Sequence, residues 1–252
     1  MKVKRRILNE VKGLPTLQKA LALAILLKSR TQRDSTIKDY TINKIHVLAS
    51  VSAATIKKYL PIMEDMGLVR YTGKNGQHLL VEKVSSKADS RNCDIPVSEK
   101  DTMRDVYQSL RAFLALLIQY RKDYVRRTLL AFSNPQRGDD FKSLRQQVKG
   151  LVNAGVLGGI FEKYKELGIS YKRIAKETGN CQRTAERIIK YAIAKNWVKK
   201  TVNVISCFVK GVCHRFVYGF DCTTRNNAYI FKANTYDLKP CFISMVELGG
   251  KK

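Results

Sequence analysis

Residues 170–198 read SYKRIAKETGNCQRTAERIIKYAIAKNWV, and the fold turns on how this stretch divides. Ser170 can cap a helix over Tyr171–Thr178 (YKRIAKET), because a serine hydroxyl satisfies a free N–H at a helix start. Gly179 follows, a residue suited to the left-handed turn that ends helices. Asn180 can cap a second helix, Cys181–Asn196 (CQRTAERIIKYAIAKN). Ala175 puts a small side chain where two helices must cross, while Ala185 and Ile188 fall on the inward face of the second helix. That spacing predicts two helices packed across a tight turn. Trp197-Val198 then leads into an alternating segment, Thr201–Val209, which meets Lys210-Gly211 and returns as Val212–Phe220, a predicted hairpin. Ala228–Lys232 and Cys241–Val246 are strand-like and are expected to extend its sheet.

The same order of elements is expected nearer the N-terminus. Thr16–Lys28 is helical in pattern, with Leu17, Ala20, Leu21, Ala24 and Leu27 on one face. After a polar loop, Thr41–Ser50 is a short helix with Ile42, Ile45 and Leu48 inward. Val51-Ser52 makes the turn, and Ser52 is a natural cap for the helix Ala53–Met66. Gly67 stops that helix, Leu68–Tyr71 enters a strand, Thr72–Gln77 (TGKNGQ) turns, and His78–Val84 returns.

The run ASVSAATIKKYL (49–60) followed by MEDMGLV (63–69) resembles the winged helix-turn-helix superfamily, over roughly residues 16–84. The stretch holding Ala175, Gly179, Ala185 and Ile188 is similar to the same superfamily, and the match is closer. His46 stands where that motif has a small residue, Ser50 replaces the turn glycine, and Pro61 interrupts the third helix. The resemblance implies that helix 53–66 enters a DNA major groove while the Lys74-Asn75-Gly76 hairpin touches backbone or minor groove. It implies the same placement for the second helix of the C-terminal pair.

On those expectations, Gln182 suits bidentate reading of adenine, and Arg183 or Arg187 suits guanine O6 and N7. Ala53 and Thr55 suit the thymine methyl, with Lys57 as a further base-reading residue. Lys58, Lys74, Lys190, Lys195, Lys199, Lys200 and Lys210 are expected at phosphates, which position a protein without specifying sequence. Specificity is therefore expected mainly from the C-terminal pair. Lys57/Lys58 and Lys199/Lys200 can equally be ordinary solvated charge.

Between the two units, Ser85–Lys100 (SSKADSRNCDIPVSEK) lacks apolar periodicity and reads as a linker. Ser98-Glu-Lys-Asp101 resembles a capping box opening a long helix to about Phe132. A loop at Ser133–Asp140, a helix over Asp140–Asn153 and a short helix over Ile160–Leu167 follow. The apolar stripe of the long helix (Val106, Leu110, Phe113, Leu114, Leu117, Tyr120) is a packing or dimer surface. The expected organisation is serial: an N-terminal winged unit over 1–90, a linker and helical connector over 91–158, and a C-terminal winged unit with extra strands over 159–252. The fold class is mainly α with small β-hairpin wings.

Charge agrees with two basic ends. The formal net charge is +26 at a pI of about 10.0, and the surplus is unevenly spread. Residues 1–90 hold 17 Lys and Arg against 7 Asp and Glu, residues 91–158 hold 12 against 7, and residues 159–252 hold 18 against 7. Such an excess repels itself unless a polyanion relieves it. Hydrophobic content of 44% is enough for packed cores.

Other classes are disfavoured. No apolar run reaches membrane-spanning length, and no signal-peptide core follows the basic start, so a cytoplasmic, nucleoid-associated protein is expected. Six cysteines in 252 residues do not make a disulfide scaffold. Cys207, Cys213, His214, Cys222 and Cys241 lack the close Cys-x-x-Cys spacing of structural zinc sites, so no metal or cofactor is expected. With three histidines, no P-loop and no nucleophile elbow, no catalytic constellation is legible. The expected function is sequence-specific binding of double-stranded DNA at two adjacent major-groove segments, as a transcriptional regulator. The tandem layout is also similar to plasmid and phage replication initiators, which implies origin repeats and the replication machinery as partners. A homodimer through the connector and an RNA- or ribosome-associated role remain open at this point.

Overall fold

The computed structural model describes residues 1–31, 35–82, 92–133, 168–201, 204–208, 220–224, 227–231 and 234–247. The protein is mainly helical with small antiparallel sheets. Its contacts divide it into two compact units that do not follow the serial order expected from composition. The first unit gathers Met1–Leu117, Tyr171–Val198 and Lys239–Lys252; the second gathers Ile118–Ser170 and Lys199–Leu238. Both helix pairs identified in the sequence therefore lie in one unit.

The centre of that unit is helix α2 (Pro15–Arg30), which follows strand β1 (Lys2–Lys4) and helix α1 (Arg5–Glu10). Pro15 starts it, a position where the missing N–H costs nothing. The expected single apolar face is too narrow a description. Leu21, Leu23, Ile25, Leu26 and Leu27 are all 0% exposed, and Ala20, Ala22 and Ala24 are buried between them. A helix buried all round needs neighbours on every side. It packs on α3 (Ile42–Ala49), α4 (Ala53–Asp65) and strand β4 (His78–Val81).

Local signals set the ends of α3 and α4. Thr41 caps α3 by accepting the Lys44 N–H at 3.1 Å. Ser50 ends it with φ 53°, so serine takes the left-handed conformation glycine would otherwise supply. Ser52 caps α4 by accepting the Thr55 N–H at 3.3 Å, and α4 continues through Pro61. At its end Leu68 N–H donates to Met63 O and Gly67 N–H to Glu64 O, both at 2.8 Å. This pair of bonds is the Schellman closure that a left-handed glycine permits.

Leu68 then leads into β3 (Val69–Thr72), which pairs antiparallel with β4 around a turn at Lys74–Gly76. A third strand was not anticipated: β2 (Thr36–Ile37), in the supposed polar loop, pairs with the other edge of β4. The supposed linker also holds a strand. β5 (Asn92–Asp94) pairs antiparallel with β1, Val3 opposite Cys93, and both side chains are fully buried.

Helix α5 (Met103–Ser133) starts later than expected. Ser98 N–H does donate to Asp101 Oδ2 at 2.8 Å, but that box closes only a turn. The helix is opened by Thr102 and Asp105, with Thr102 N–H donating to Asp105 Oδ2 at 3.0 Å and Asp105 N–H to Thr102 Oγ1 at 3.3 Å. The segments 134–140, 140–153 and 160–167 lie outside the described residues.

Helices α6 (Tyr171–Thr178) and α7 (Gln182–Ala194) pack with Ala175, Ala185 and Ile188 inward, as the spacing predicts. Asn180 N–H donates to Ala175 O at 2.8 Å, closing α6 around the left-handed Gly179. Asn180 is not the cap of α7: its side-chain amide donates to Thr178 O at 2.7 Å, and Cys181 takes the cap position. At the far end Trp197 N–H donates to Ala192 O at 3.0 Å around the left-handed Asn196. Trp197 packs with Tyr191 (6.2 Å, edge-on) and with Phe242, which meets Phe113 of α5 at 5.1 Å.

Two sheet expectations fail. Cys241–Val246 is not a strand but lies in helix α8 (Pro240–Glu247), where Pro240 suits the first turn and Phe242 and Val246 share one buried face. Of the predicted return strand Val212–Phe220 the described residues include Phe220, which pairs with Ile230 and not with strand β7 (Val204–Phe208); residues 212–219 lie outside them. In the second unit β7 and β8 (Phe220–Thr224) both pair antiparallel with β9 (Asn227–Phe231), order β7-β9-β8. β6 (Val198–Thr201) pairs with β10 (Thr235–Leu238). Around Ser170, Ile169 N–H donates to Asn234 O at 2.9 Å and Lys122 Nζ to Gly168 O at 2.8 Å.

The two halves of the first unit meet at backbone contact. A Cβ at Gly179 would lie 2.3 Å from Gly13 O and 2.7 Å from Gly13 C. Around Gly67, also left-handed, there is nothing within 4 Å. Gly67→Ala will therefore cost only the left-handed strain, about 1–2 kcal/mol. Gly179→Ala will cost ~2–5 kcal/mol, strain plus forced backbone displacement. Urea midpoints of the two variants check this; equal losses would mean that Gly13 and Gly179 do not touch.

Candidate nucleic-acid interface

Helix α7 buries Ala185, Ile188, Ile189 and Ala192, so its opposite face is free. Gln182, Arg183, Arg187 and Lys190 are exposed there. Residues 183, 187 and 190 recur at helical steps and form one basic stripe. Gln182 stands beside it in the first turn of the helix. Lys190 Nζ meets Glu186 Oε1 at 2.9 Å, an exposed i,i+4 pair worth at most ~1 kcal/mol, so a phosphate can displace the carboxylate. Arg187 stands at the margin of the stripe, turned toward α5.

Not every expected residue shares that face. Lys195 Nζ lies 5.6 Å from the Tyr191 ring centroid and lines a cleft with Asp94, Asp101 and Asp105. Asp105 feels the Lys195 charge, though no ion pair joins the two among the described residues. Lys199 and Lys200 lie on β6, the first exposed and the second half-buried. Lys210, Cys213 and His214 lie outside the described residues. Cys241 Sγ donates to Asn196 O at 3.2 Å, and no group of three metal-ligating side chains occurs among the described residues.

On α4, Ala53, Lys57 and Lys58 are exposed. Thr55 is half-buried, and its hydroxyl lies 2.9 Å from Ser52 Oγ, so its methyl group is the more available part. Lys74 is exposed at the tip of the β3–β4 turn, whose shape is fixed by left-handed Gly73, Asn75 and Gly76. His78 packs against Gly73, where a Cβ would come within 2.9 Å of its ring, and accepts the Asp39 N–H through Nδ1 at 3.1 Å. Behind the tip, burial and the neighbouring Tyr40 push the Tyr71 phenol up to about 12, so it stays a neutral donor at any working pH.

Residues of α5 were missed. Arg104, Gln108 and Arg111 share one face by their i, i+4, i+7 spacing and stand beside Thr184, Arg187 and Tyr191 of α7. The spacing was visible in the sequence; that α5 lies against α7 was not.

Comparison with known protein families, curated proteins and solved structures gives no match to this chain.

Cys181 is fully exposed at the start of α7. Hydrogen bonds from the Thr184 hydroxyl and from the backbone N–H groups of Thr184 and Arg183 hold its thiol below the usual range. A lowered thiol ionises at lower pH, and the thiolate is the nucleophile. Iodoacetamide labelling of Cys181, mapped by peptide mass, will therefore reach half its maximal rate at lower pH than the same cysteine in a peptide spanning residues 179–188. Coincident profiles would show that the α7 N-terminus does not hold the sulfur.

Proposed function

We propose that this protein binds double-stranded DNA in a sequence-specific way, through two winged helix-turn-helix elements, and acts as a transcriptional regulator. The observation that carries the reading is the recurrence of one arrangement. α3–α4 and α6–α7 are each two helices across a short turn. The second helix of each pair ends in a left-handed residue and passes through an apolar pair, Leu68-Val69 or Trp197-Val198, into a strand. Each second helix leaves one face exposed, and that of α7 holds Gln182 and Arg183 with no structural duty that accounts for them. These are the proposed base readers, with Ala53, Thr55 and Lys57 on α4. Lys58, Lys74, Lys190, Lys199 and Lys200 are proposed at phosphates. The net charge of +26 supports a polyanionic partner.

Membership of one compact unit adds a constraint. The two reading helices are joined through packed elements rather than through a linker, so their separation on DNA is set by the fold. Selection from a random duplex pool at near-physiological salt will yield a motif of two blocks about one helical turn (~10 bp) apart. Inserting ~5 bp between the blocks will reduce binding to that of one block, because the second helix then faces the wrong side of the duplex. Gln182→Ala and Arg183→Ala will each relax one position, by ~1–3 kcal/mol. No motif, with binding that simply collapses as salt rises, would sink the specific reading. Direct repeats beside an AT-rich stretch would replace the regulator with a replication initiator. Preference for A-form RNA would overturn both, since its deep groove does not admit a recognition helix.

A further inference from the structure

We propose that the cleft between α5 and α7 grips one backbone phosphate of the bound duplex, through the guanidinium groups of Arg104, Arg111 and Arg187. The proposal rests on the duplex-binding reading above and extends the contact surface to a helix outside both helix pairs.

The cleft has a volume of about 310 Å³, and Arg104, Gln108, Arg111, Thr184, Arg187 and Tyr191 line it. That is the bottom of the ~300–1,000 Å³ range of ligand pockets, room for one small anion rather than a nucleotide. No carboxylate lines it. Among the described residues no ion pair is formed to these three arginines: Glu186, the nearest along α7, faces Lys190, and Asp105, the nearest along α5, is bonded by Thr102 and feels the Arg104 charge without contacting it. Three permanent cations facing one cleft repel each other unless an anion joins them.

The guanidiniums are held for such a task. Arg111 is half-buried with its Cζ 4.3 Å over the Tyr107 ring, and it also donates a hydrogen bond to the Tyr107 hydroxyl, so the planar group is held in place with donors left over. Its Nε is shielded from solvent and makes no hydrogen bond among the described residues. A cationic N–H so placed is costly to leave unmet. Tyr191 is a wall of the cleft, because its hydroxyl is already bonded to Ser109 Oγ at 2.7 Å. The Gln108 amide is a further neutral donor.

Position identifies the anion. Arg187 lies one helical turn beyond Arg183, at the edge of the exposed face of α7. If Gln182 and Arg183 meet base edges on the groove floor, the α5 side of α7 meets the groove wall, where the phosphates are. Arg187 is then a phosphate ligand rather than a base reader. A free phosphate ion offers the same oxygens, so the test must separate the two sources.

The variants are Arg104→Gln/Arg111→Gln together and, separately, Gln108→Glu, which sets a carboxylate in the cleft. Urea midpoints establish that each is folded. Affinity for the selected duplex and for a random duplex is measured against salt, and phosphate-ethylation interference is mapped for the wild type and the double variant. We expect at least a tenfold loss on both duplexes alike, with the selected motif unchanged. The salt slope should fall by about 0.9, the signature of one phosphate lost. One phosphate whose ethylation blocks the wild type should cease to matter in the double variant, and Gln108→Glu should weaken binding in the same sequence-independent way. Folded variants that keep the wild-type slope and ethylation pattern overturn the proposal. So does relaxation at one base position, which would make these arginines readers. Stabilisation of the wild type by millimolar inorganic phosphate, absent in the double variant, with duplex binding unaltered, would assign the cleft to a free anion instead. A wild type that binds no duplex fails before any variant is compared, and removes the duplex-binding reading with it.

Discussion

Backbone contact between Gly13 and Gly179 is the constraint on which the first unit is built. Both residues are left-handed, with φ of +74° and +68°, and a Cβ at Gly179 would run into the Gly13 backbone, whereas one at Gly13 would meet Lys176 O at an ordinary 3.7 Å. Gln18 secures the junction from within: its buried amide nitrogen donates to Val11 O and to Thr178 O, each at 3.1 Å. Glu177 secures it from outside by pairing with Lys12 and, at 2.8 Å, with Arg173. The amide oxygen of Gln18 is buried and unbonded among the described residues, a cost of ~1–3 kcal/mol that the two donated bonds offset. The consequence is a continuous packed path. α4 rests on α2, α2 is tied to the end of α6, and α6 crosses α7. The two exposed helices are therefore joined through the core, although 116 residues lie between Asp65 and Gln182 in sequence.

The far ends of α4 and α7 are fixed by a shared device. Each helix closes with a left-handed residue, Gly67 or Asn196, followed by an apolar residue whose N–H reaches back to the helix, Leu68 to Met63 and Trp197 to Ala192. The closure satisfies terminal carbonyls and at the same moment drives a large side chain into the core. At α7 that side chain is Trp197, stacked into a cluster with Tyr191, Phe242 and Phe113. α8 returns to supply Phe242, so the C-terminal helix fixes the angle at which α7 presents its basic face.

What the sequence made legible was local. Ser52, Gly67, Gly179 and the inward pair Ala185 and Ile188 act within four or five residues of themselves, and a cap or a left-handed closure needs only that span. The failures are of two kinds. Some are competitions between adjacent candidates: Thr102 with Asp105 prevails over Ser98 with Asp101 because the second box alone is continuous with the buried stripe of α5. Likewise Asn180 bonds backward to Thr178 and leaves the cap of α7 to Cys181. Others depend on partners remote in the chain. Asn92–Asp94 is polar enough to read as a linker until Lys2–Lys4 lies beside it. Cys241–Val246 alternates no better than it spirals until Trp197 and Phe113 claim Phe242. The basic face of Arg104, Gln108 and Arg111 has a period visible in the sequence, but only the approach of α7 makes it a cleft.

Charge connects these features. Several carboxylates of the first unit are engaged in holding the chain. Asp105 opens α5, and the Thr102 hydroxyl and N–H hold its carboxyl below the usual range. Asp101 closes the preceding turn, Glu177 clamps the glycine junction, and Glu186 faces Lys190 along α7. Asp101, Asp105 and Glu177 are thereby kept off the outward face of α7, while Glu186 stays beside Lys190 on α7, where a phosphate can displace it. The cations left there have no comparable duty within the fold. Repulsion among Arg104, Arg111, Arg183 and Arg187 persists in the folded chain, so a polyanion that relieves it is bound more tightly for that reason. The same arrangement separates attraction from discrimination. Guanidiniums turned toward α5 can serve any phosphate, and a fold that supplies them beside α7 leaves Gln182 and Arg183 free to distinguish one sequence from another.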